Sequence, residues 1–198
     1  FGAGRGRNPV FYITVGTGIG GGLVIDGAIY RGSGVGAAEL GHLRPGLNAT
    51  DPHDILEARA AGWGIAATCR RAIADASGST DARALMDVCA GDVERLTTKQ
   101  VAAAAADGNA LARDVLDSAW TALGWGIAQL ITLVSPEVVV IGGGVSLIGE
   151  DAFFAPVRRA ARQYVFPPVA DQFEIVPAAL GEEVVIHGAL ALARAAFD

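Results

Sequence analysis

The run Phe11-Tyr-Ile-Thr-Val-Gly-Thr-Gly-Ile-Gly-Gly-Gly-Leu-Val-Ile-Asp26 sets two β-branched and aromatic segments on either side of a glycine-dense turn, residues 16–22. Each flank has the composition of a strand, so the unit predicts a β-hairpin. The turn is richer in glycine than a plain connection requires. Glycine accepts φ > 0 and lets another group approach the backbone closely. Consecutive exposed amides in such a turn form an anion nest, and Thr17 adds a hydroxyl. The turn therefore predicts a phosphate cradle; the alternative is a tight, bulged turn with no ligand. It is not a dinucleotide fingerprint, which runs from a strand into a helix. Nor is it a P-loop, because no Gly-Lys-Ser/Thr closes it.

Outward from the hairpin, Val10 to Val15 reads as the first strand and Gly22 to Ile25 as the second. Asp26-Gly27 is a two-residue hairpin signal, and Ala28 to Tyr30 starts a third strand. A second glycine-dense loop follows, Arg31-Gly-Ser-Gly-Val-Gly-Ala-Ala-Glu-Leu-Gly-His42. Asp54, with Glu57 three residues on, predicts a capping box for a helix from Ile55 towards Ala76, weakened at Gly62 and Gly64. A short helix ends near Ala90, and Thr97 caps another that ends near Asp107-Gly108. In Leu111 to Val134 the residues Leu116, Trp120, Leu123, Ile127, Leu130 and Val134 recur at three- and four-residue steps, a core-facing stripe. Pro136 stops that helix. Glu137 to Ile141 reads as a buried strand, followed by Gly142-Gly-Gly-Val145, a helix from about Asp151 to Tyr164, a strand from Phe173 to Val176 and a last helix from Gly181 to Phe197. Three antiparallel strands, then helices, then strand, helix, strand, helix describe an α/β domain with a mixed sheet of about five strands and helices on both faces.

The chain has 198 residues, 52% apolar and 18% charged. That is a globular composition, not a disordered one. A formal net charge of −6 with no basic block argues against nucleic acid as a partner of this part of the protein. No apolar run approaches the roughly 18 residues of a membrane span, and nothing resembles a signal peptide. Cys69 and Cys89 lack a partner spacing and read as buried thiols of a reducing, cytoplasmic compartment. Residues 1–9 read as a linker from a missing preceding lobe, and residues 10–198 as the lobe that follows it.

Three groups of residues could carry chemistry. Gly142, Gly143 and Gly144 follow a buried strand, where ligands settle at strand ends; they could admit a flat base or ribose, or simply form a helix-entry turn. Glu39 and His42 lie close together and could grip vicinal hydroxyls, each hydroxyl being donor and acceptor together. His42 could equally be a satisfied structural histidine. Glu57, read by residue type, is a helix N-terminal acid favoured by the dipole.

Taken together, Gly16-Thr-Gly-Ile-Gly-Gly-Gly22, the loop ending Glu39-Leu-Gly-His42, Leu56-Glu57 and Pro136-Glu-Val-Val-Val-Ile-Gly-Gly-Gly144 resemble the ROK family of sugar kinases and sugar-responsive repressors. The order and spacing of the four blocks agree over almost the whole chain. The resemblance implies an actin-like ATPase fold of the ribonuclease H type, with this chain as its C-terminal lobe. It implies an ATP- and Mg²⁺-dependent sugar kinase resembling a glucokinase, acting on a hexose or N-acetylhexosamine hydroxyl and assembling as a homo-oligomer. Gly16, Thr17 and Gly18 would lie at the ATP phosphates, Gly142 to Gly144 at the adenosine, and Glu39, His42 and Glu57 at the sugar hydroxyls. The alternatives are a sugar-responsive transcriptional regulator and a degenerate, non-catalytic sugar-binding module.

Two departures qualify the expectation. The family's Cys-x-Cys-Gly-x-x-Gly-Cys zinc knuckle is replaced by Leu47-Asn-Ala-Thr-Asp-Pro-His-Asp-Ile55. A thiolate zinc site is not expected there, and Asp51, His53 and Asp54 lack ligand spacing. The family's catalytic Asp, expected upstream of Phe1, has no counterpart here, so the chain alone is expected to be inactive.

Overall fold

The computed structural model describes residues 2–34 and 36–195. Strand β1, Val10–Val15, alternates as its composition demands: Phe11, Ile13 and Val15 are buried while Val10, Tyr12 and Thr14 are partly exposed. It pairs antiparallel with β2, Ile19–Ile25, in a register from Val10↔Val24 to Val15↔Ile19. β2 thus begins three residues before the expected Gly22, and the connecting turn shrinks to residues 16–18. The other glycines belong to the strand, where the backbone of Ala38 crosses so closely that a Cβ on Gly21 would lie 2.2 Å from its carbonyl oxygen.

β3, Ala28–Ile29, extends the hairpin antiparallel. On the other side of β1 lies β4, Val138–Gly142, parallel to it, and then β5, Glu174–Pro177, parallel to β4. The order β3-β2-β1-β4-β5 is the expected mixed sheet. β4 is buried at every residue, as a central parallel strand covered on both faces should be. The lead-in to β1 is tied to the same end of the sheet. Arg7 bridges Glu137 (2.6 Å) and Glu174 (3.0 Å), and its guanidinium with the Asn8 amide holds the Glu137 carboxyl below its ordinary range.

The helices follow the sequence with one break. Instead of one helix from Ile55 to Ala76 there are two, α1, Leu56–Ala60, and α2, Gly62–Asp75. Ala61 between them is extended (φ −75°, ψ 163°), and the Gly62 amide leaves the helical ladder to donate to the Gly16 carbonyl at 2.8 Å. The capping box expected at Asp54 and Glu57 is absent. Ile55 occupies the N-cap position without a side-chain bond, Asp54 pairs with Arg59 at 2.7 Å, and the Glu57 carboxylate is engaged elsewhere.

α3, Thr80–Val88, precedes α4, Thr98–Ala106, whose Thr97–Gln100 capping box is formed. α5, Ala110–Val134, buries Leu116, Trp120, Leu123, Ile127 and Leu130, the stripe read from the sequence, although Val134 is only partly buried. It ends at Ser135 in the left-handed region, one residue before Pro136. α5 packs on α1, α2, α4 and α6, Ala155–Tyr164. These helices share one core cluster with Phe11, Ile13 and Val15. The opposite face of the sheet, bearing Tyr12 and Val140, lines a cavity of about 400 Å³ with residues 2–4 and Val184, the first residue of α7, Val184–Ala195. The expected end of the last helix at Phe197 lies outside the described residues. Among the described residues, no helix is long and apolar enough to cross a membrane.

Candidate functional site

The hairpin turn is small and partly self-satisfied. The Gly16 amide donates to the Gly18 carbonyl at 2.9 Å. The Ile19 amide donates to Glu57 Oε2 at 2.8 Å. Among the described residues, the amides of Thr17 and Gly18 have no protein acceptor, and Thr17 is exposed. The turn therefore offers two free amides and one hydroxyl, a narrower cradle than the whole glycine run suggests. α2 reinforces it. Its N-cap, Ala61, supplies no side-chain oxygen, so the first turn of the helix keeps unpaired amides and the positive end of its dipole beside Gly16.

The second glycine turn abuts the first. Gly143 has φ 90°, and a Cβ there would meet the Val15 carbonyl oxygen at 2.6 Å and Thr14 Oγ1 at 2.8 Å. No other residue type fits that conformation and approach without a shift. The Val145 amide then bonds the Val15 carbonyl at 2.9 Å, fastening the turn to the end of β1. A Cβ on Gly16 would lie 3.9 Å from the Gly144 amide nitrogen, so the two turns abut at Gly16 and Gly144. A cavity of about 320 Å³ opens beside it, with Tyr12, Thr14, Gly142, Gly143 and Ser146 in its wall.

The residues expected at the sugar hydroxyls arrive from a third direction. Glu39 stands at the N-cap of the 3₁₀ turn Leu40–His42 and His42 ends it, and both residues are exposed. That turn rests on β2 through Gly41, where a Cβ would stand 2.3 Å from the Ile19 carbonyl oxygen. The Leu56 amide bonds the Leu43 carbonyl at 2.7 Å, which fixes the start of α1, and with it Glu57, to the end of the same segment. Glu57 is half-buried, and its Oε1 has no protein donor among the described residues. Ile19 is the meeting point: its amide holds Glu57, its carbonyl carries the Glu39–His42 turn, and it follows Gly18 directly. Residue type identified Glu57 only as a helix-end acid, and nothing in the sequence pointed to the Ile19 amide or the Gly62 amide as the joints.

The residues do not suit a structural zinc. Cys69 and Cys89 are buried free thiols on α2 and at the end of α3. Asp51 accepts the His53 amide at 2.8 Å and Asp54 pairs with Arg59. Among the described residues, no group of three or more potential ligands comes together.

The profile of the ROK family matches residues 1–196. The chain belongs to the ROK family. Its mixed sheet is the actin-like α/β fold of ROK sugar kinases. A glucokinase of Thermotoga maritima is 34% identical over 199 residues, covering 98% of this chain and 61% of that enzyme. A ROK glucokinase of Streptomyces griseus, solved with glucose and AMPPNP, superposes with a TM-score of 0.79 at 30% identity, over 91% of this chain and 59% of that one. A xylose repressor of Caldicellulosiruptor bescii is 26% identical over 93% of this chain and 46% of its own length. This ROK chain thus spans about three-fifths of the glucokinases it matches and less of the repressor.

Proposed function

We propose that this chain is the C-terminal lobe of an ATP-dependent sugar kinase that transfers the γ-phosphoryl group to a hydroxyl of a hexose or N-acetylhexosamine. The observation that carries the reading is the junction at Ile19. There a turn with two free amides and a hydroxyl meets a carboxylate with one open oxygen, and the second glycine turn abuts the other end of that turn at Gly16.

In phosphoryl transfer the protein mainly positions the reactants and neutralises charge. The amides of Thr17 and Gly18, helped by the Thr17 hydroxyl and the end of α2, would hold phosphate oxygens. Gly142 to Gly144 would lie along the adenosine. Glu39, His42 and Glu57 would bind the acceptor's hydroxyls. The turn itself supplies only donors, and the carboxylate lying against it, Glu57, spends its nearer oxygen on the Ile19 amide, which supports phosphate oxygens as the turn's ligand. Mg²⁺ carried on the phosphates would supply further charge neutralisation. Among the described residues none stands as the base that must reach the acceptor hydroxyl, and by the family resemblance an Asp of a preceding lobe would supply it. Closure of that lobe would exclude water. Such a kinase would be cytoplasmic and, by the family resemblance, a homo-oligomer.

A coupled assay on the 198-residue chain and on the full-length protein tests the reading. The expected result is turnover by the full-length protein with ATP and D-glucose or N-acetyl-D-mannosamine, and none by the chain alone. Turnover by the chain alone would overturn the claim of a missing base, and a full-length protein that neither turns over nor is stabilised by any sugar would overturn the kinase. The repressor match favours a second reading, a sugar-responsive regulator. Sugar binding without turnover, together with a winged helix ahead of the lobe, would select it; sugar binding with neither would mark a degenerate module.

A further inference from the structure

Glu57 makes contact in two directions from one rigid group. Oε2 accepts the Ile19 amide at 2.8 Å. A Cβ on Gly18 would stand 2.7 Å from that same oxygen, so the carboxylate lies directly against the phosphate turn. Oε1 would stand 3.8 Å from the same Cβ, and it has no protein donor among the described residues, so it is open to an acceptor hydroxyl. The helix that carries Glu57 is short and pinned at both ends. Its first residue, Leu56, donates to Leu43 just after His42, and the Gly62 amide just past its end donates to Gly16. α1 cannot shift without moving either the Glu39–His42 segment or the phosphate turn.

We propose that Glu57 is a positioning residue that couples the two halves of the site, so that seating an acceptor hydroxyl on Oε1 orders the amides that receive the phosphate. The inference rests on the sugar-kinase reading above. A carboxylate is planar, and rotation about its last bond moves both oxygens together. A hydroxyl donating to Oε1 fixes that rotation. Oε2 then holds the Ile19 amide in place, and with it the adjoining amides of Gly18 and Thr17. Before the sugar arrives, Oε1 is hydrated, the carboxylate is freer to turn, and the cradle is less well held. Coupling of this kind is reciprocal: whatever displaces the carboxylate from the turn side must also weaken the acceptor side.

That reciprocity gives the test, made on the full-length protein. Gly18→Ala is the informative variant. Gly18 lies outside the left-handed region, so alanine suits its backbone, and the nearest obstacle is the end of the flexible Glu57 side chain. The methyl pushes Oε2 away from a position that is not in the sugar pocket. Losing a hydrogen bond to a charged group is worth roughly ten- to a hundredfold in an equilibrium constant. Gly18→Ala is therefore expected to raise the KM for D-glucose, or for N-acetyl-D-mannosamine if that is the acceptor, about tenfold. In the wild-type protein without nucleotide, saturating sugar is expected to shift the ¹⁵N–¹H resonances of Ile19, Gly18 and Thr17 and to slow their exchange. Glu57→Gln, which keeps an acceptor for Ile19, should retain the slow exchange of that amide while sugar affinity falls; Glu57→Ala should lose both.

If the wild-type enzyme phosphorylates sugar but the Ile19 resonance is unmoved and Gly18→Ala leaves the sugar KM unchanged, the coupling is overturned and the kinase reading stands. If the wild-type protein responds to no sugar at all, both fall. The resonance measurement needs no variant, so it decides the matter even where Gly18→Ala fails to fold.

Discussion

One methyl group at residue 41 would separate two segments that the site needs together. A Cβ there lies 2.3 Å from the Ile19 carbonyl oxygen, a backbone atom that has no rotamer to yield. Gly41→Ala is expected to destabilise the fold by about 1–3 kcal/mol, the usual range for forced overpacking, and, on the proposed sugar-kinase reading, to weaken sugar binding by lifting the Glu39–His42 turn. Gly22→Ala is the control, since a Cβ at Gly22 meets nothing within 4 Å; urea unfolding of the two variants should differ accordingly. Cys69 carries a second residue-scale prediction. Burial pushes its thiol up from 9.0 to about 11. The folded state therefore holds the proton more tightly than the unfolded one. The stability this confers is fully present below about pH 9 and is lost as pH rises towards 11. Cys69→Ala should flatten the fall in urea midpoint across that window; an equally steep fall in the variant would assign the loss to other groups. At this scale the sequence disclosed which residue types could bind, Glu39, His42 and the glycines among them. It concealed that Glu57 binds a backbone amide 38 residues away, because a carboxylate's partner depends on what the fold brings near.

Elements were legible where periodicity was strong and local chemistry uncontested. Alternation in β1, the buried run of β4 and the stripe of α5 each reflect one face meeting one core, and a single sequence displays that directly. The Thr97–Gln100 box formed because the tertiary bond of Gln100, from Nε2 to the Val88 carbonyl at 2.7 Å, leaves its Oε1 to accept the Thr97 amide at 2.9 Å. The box at Asp54 and Glu57 has equally good residue types and failed. Arg59, five residues on, draws the first carboxylate and Ile19 the second, so a local ion pair and a tertiary bond together outweigh the cap. Thr97→Ala should then cost about 1 kcal/mol in chemical denaturation, as lost N-caps do. Asp54→Ala should cost less than that, because it removes only an exposed ion pair. If the two losses were equal, the cap at Asp54 would have to form after all. The break at Ala61 follows the same logic. Glycine at 62 and 64 hinted at weakness, but only the Gly16 carbonyl explains why the chain leaves the helix there.

The mixed character of the whole sheet was accessible because an antiparallel meander followed by βαβ units admits few arrangements; its strand order came from the structure. What the whole molecule does with α7 was not accessible either, since an alanine-rich apolar helix reads the same whether it is covered or bare. Here Ile186 is 63%, Leu190 60% and Leu192 49% exposed, and Ile186 and Leu190 share a face four residues apart. Fully burying such a side chain is worth about 1.5–3 kcal/mol, of which roughly half remains to be gained where half the side chain is already covered, while association costs roughly 4–15 kcal/mol in lost freedom. Two or three side chains on each of two facing helices are enough for weak association and not for a tight dimer. The 198-residue chain is therefore expected to self-associate reversibly at roughly hundred-micromolar concentrations, seen as a rising weight-average mass in sedimentation equilibrium. The net charge of −6 opposes the contact, and salt that shortens the screening length to below about 10 Å should favour it. Ile186→Lys with Leu190→Lys should return the chain to a monomer without lowering its urea midpoint, because neither side chain is part of the core cluster. A wild-type chain that stays monomeric at every concentration and salt would mean that α7 already finds its cover within the lobe.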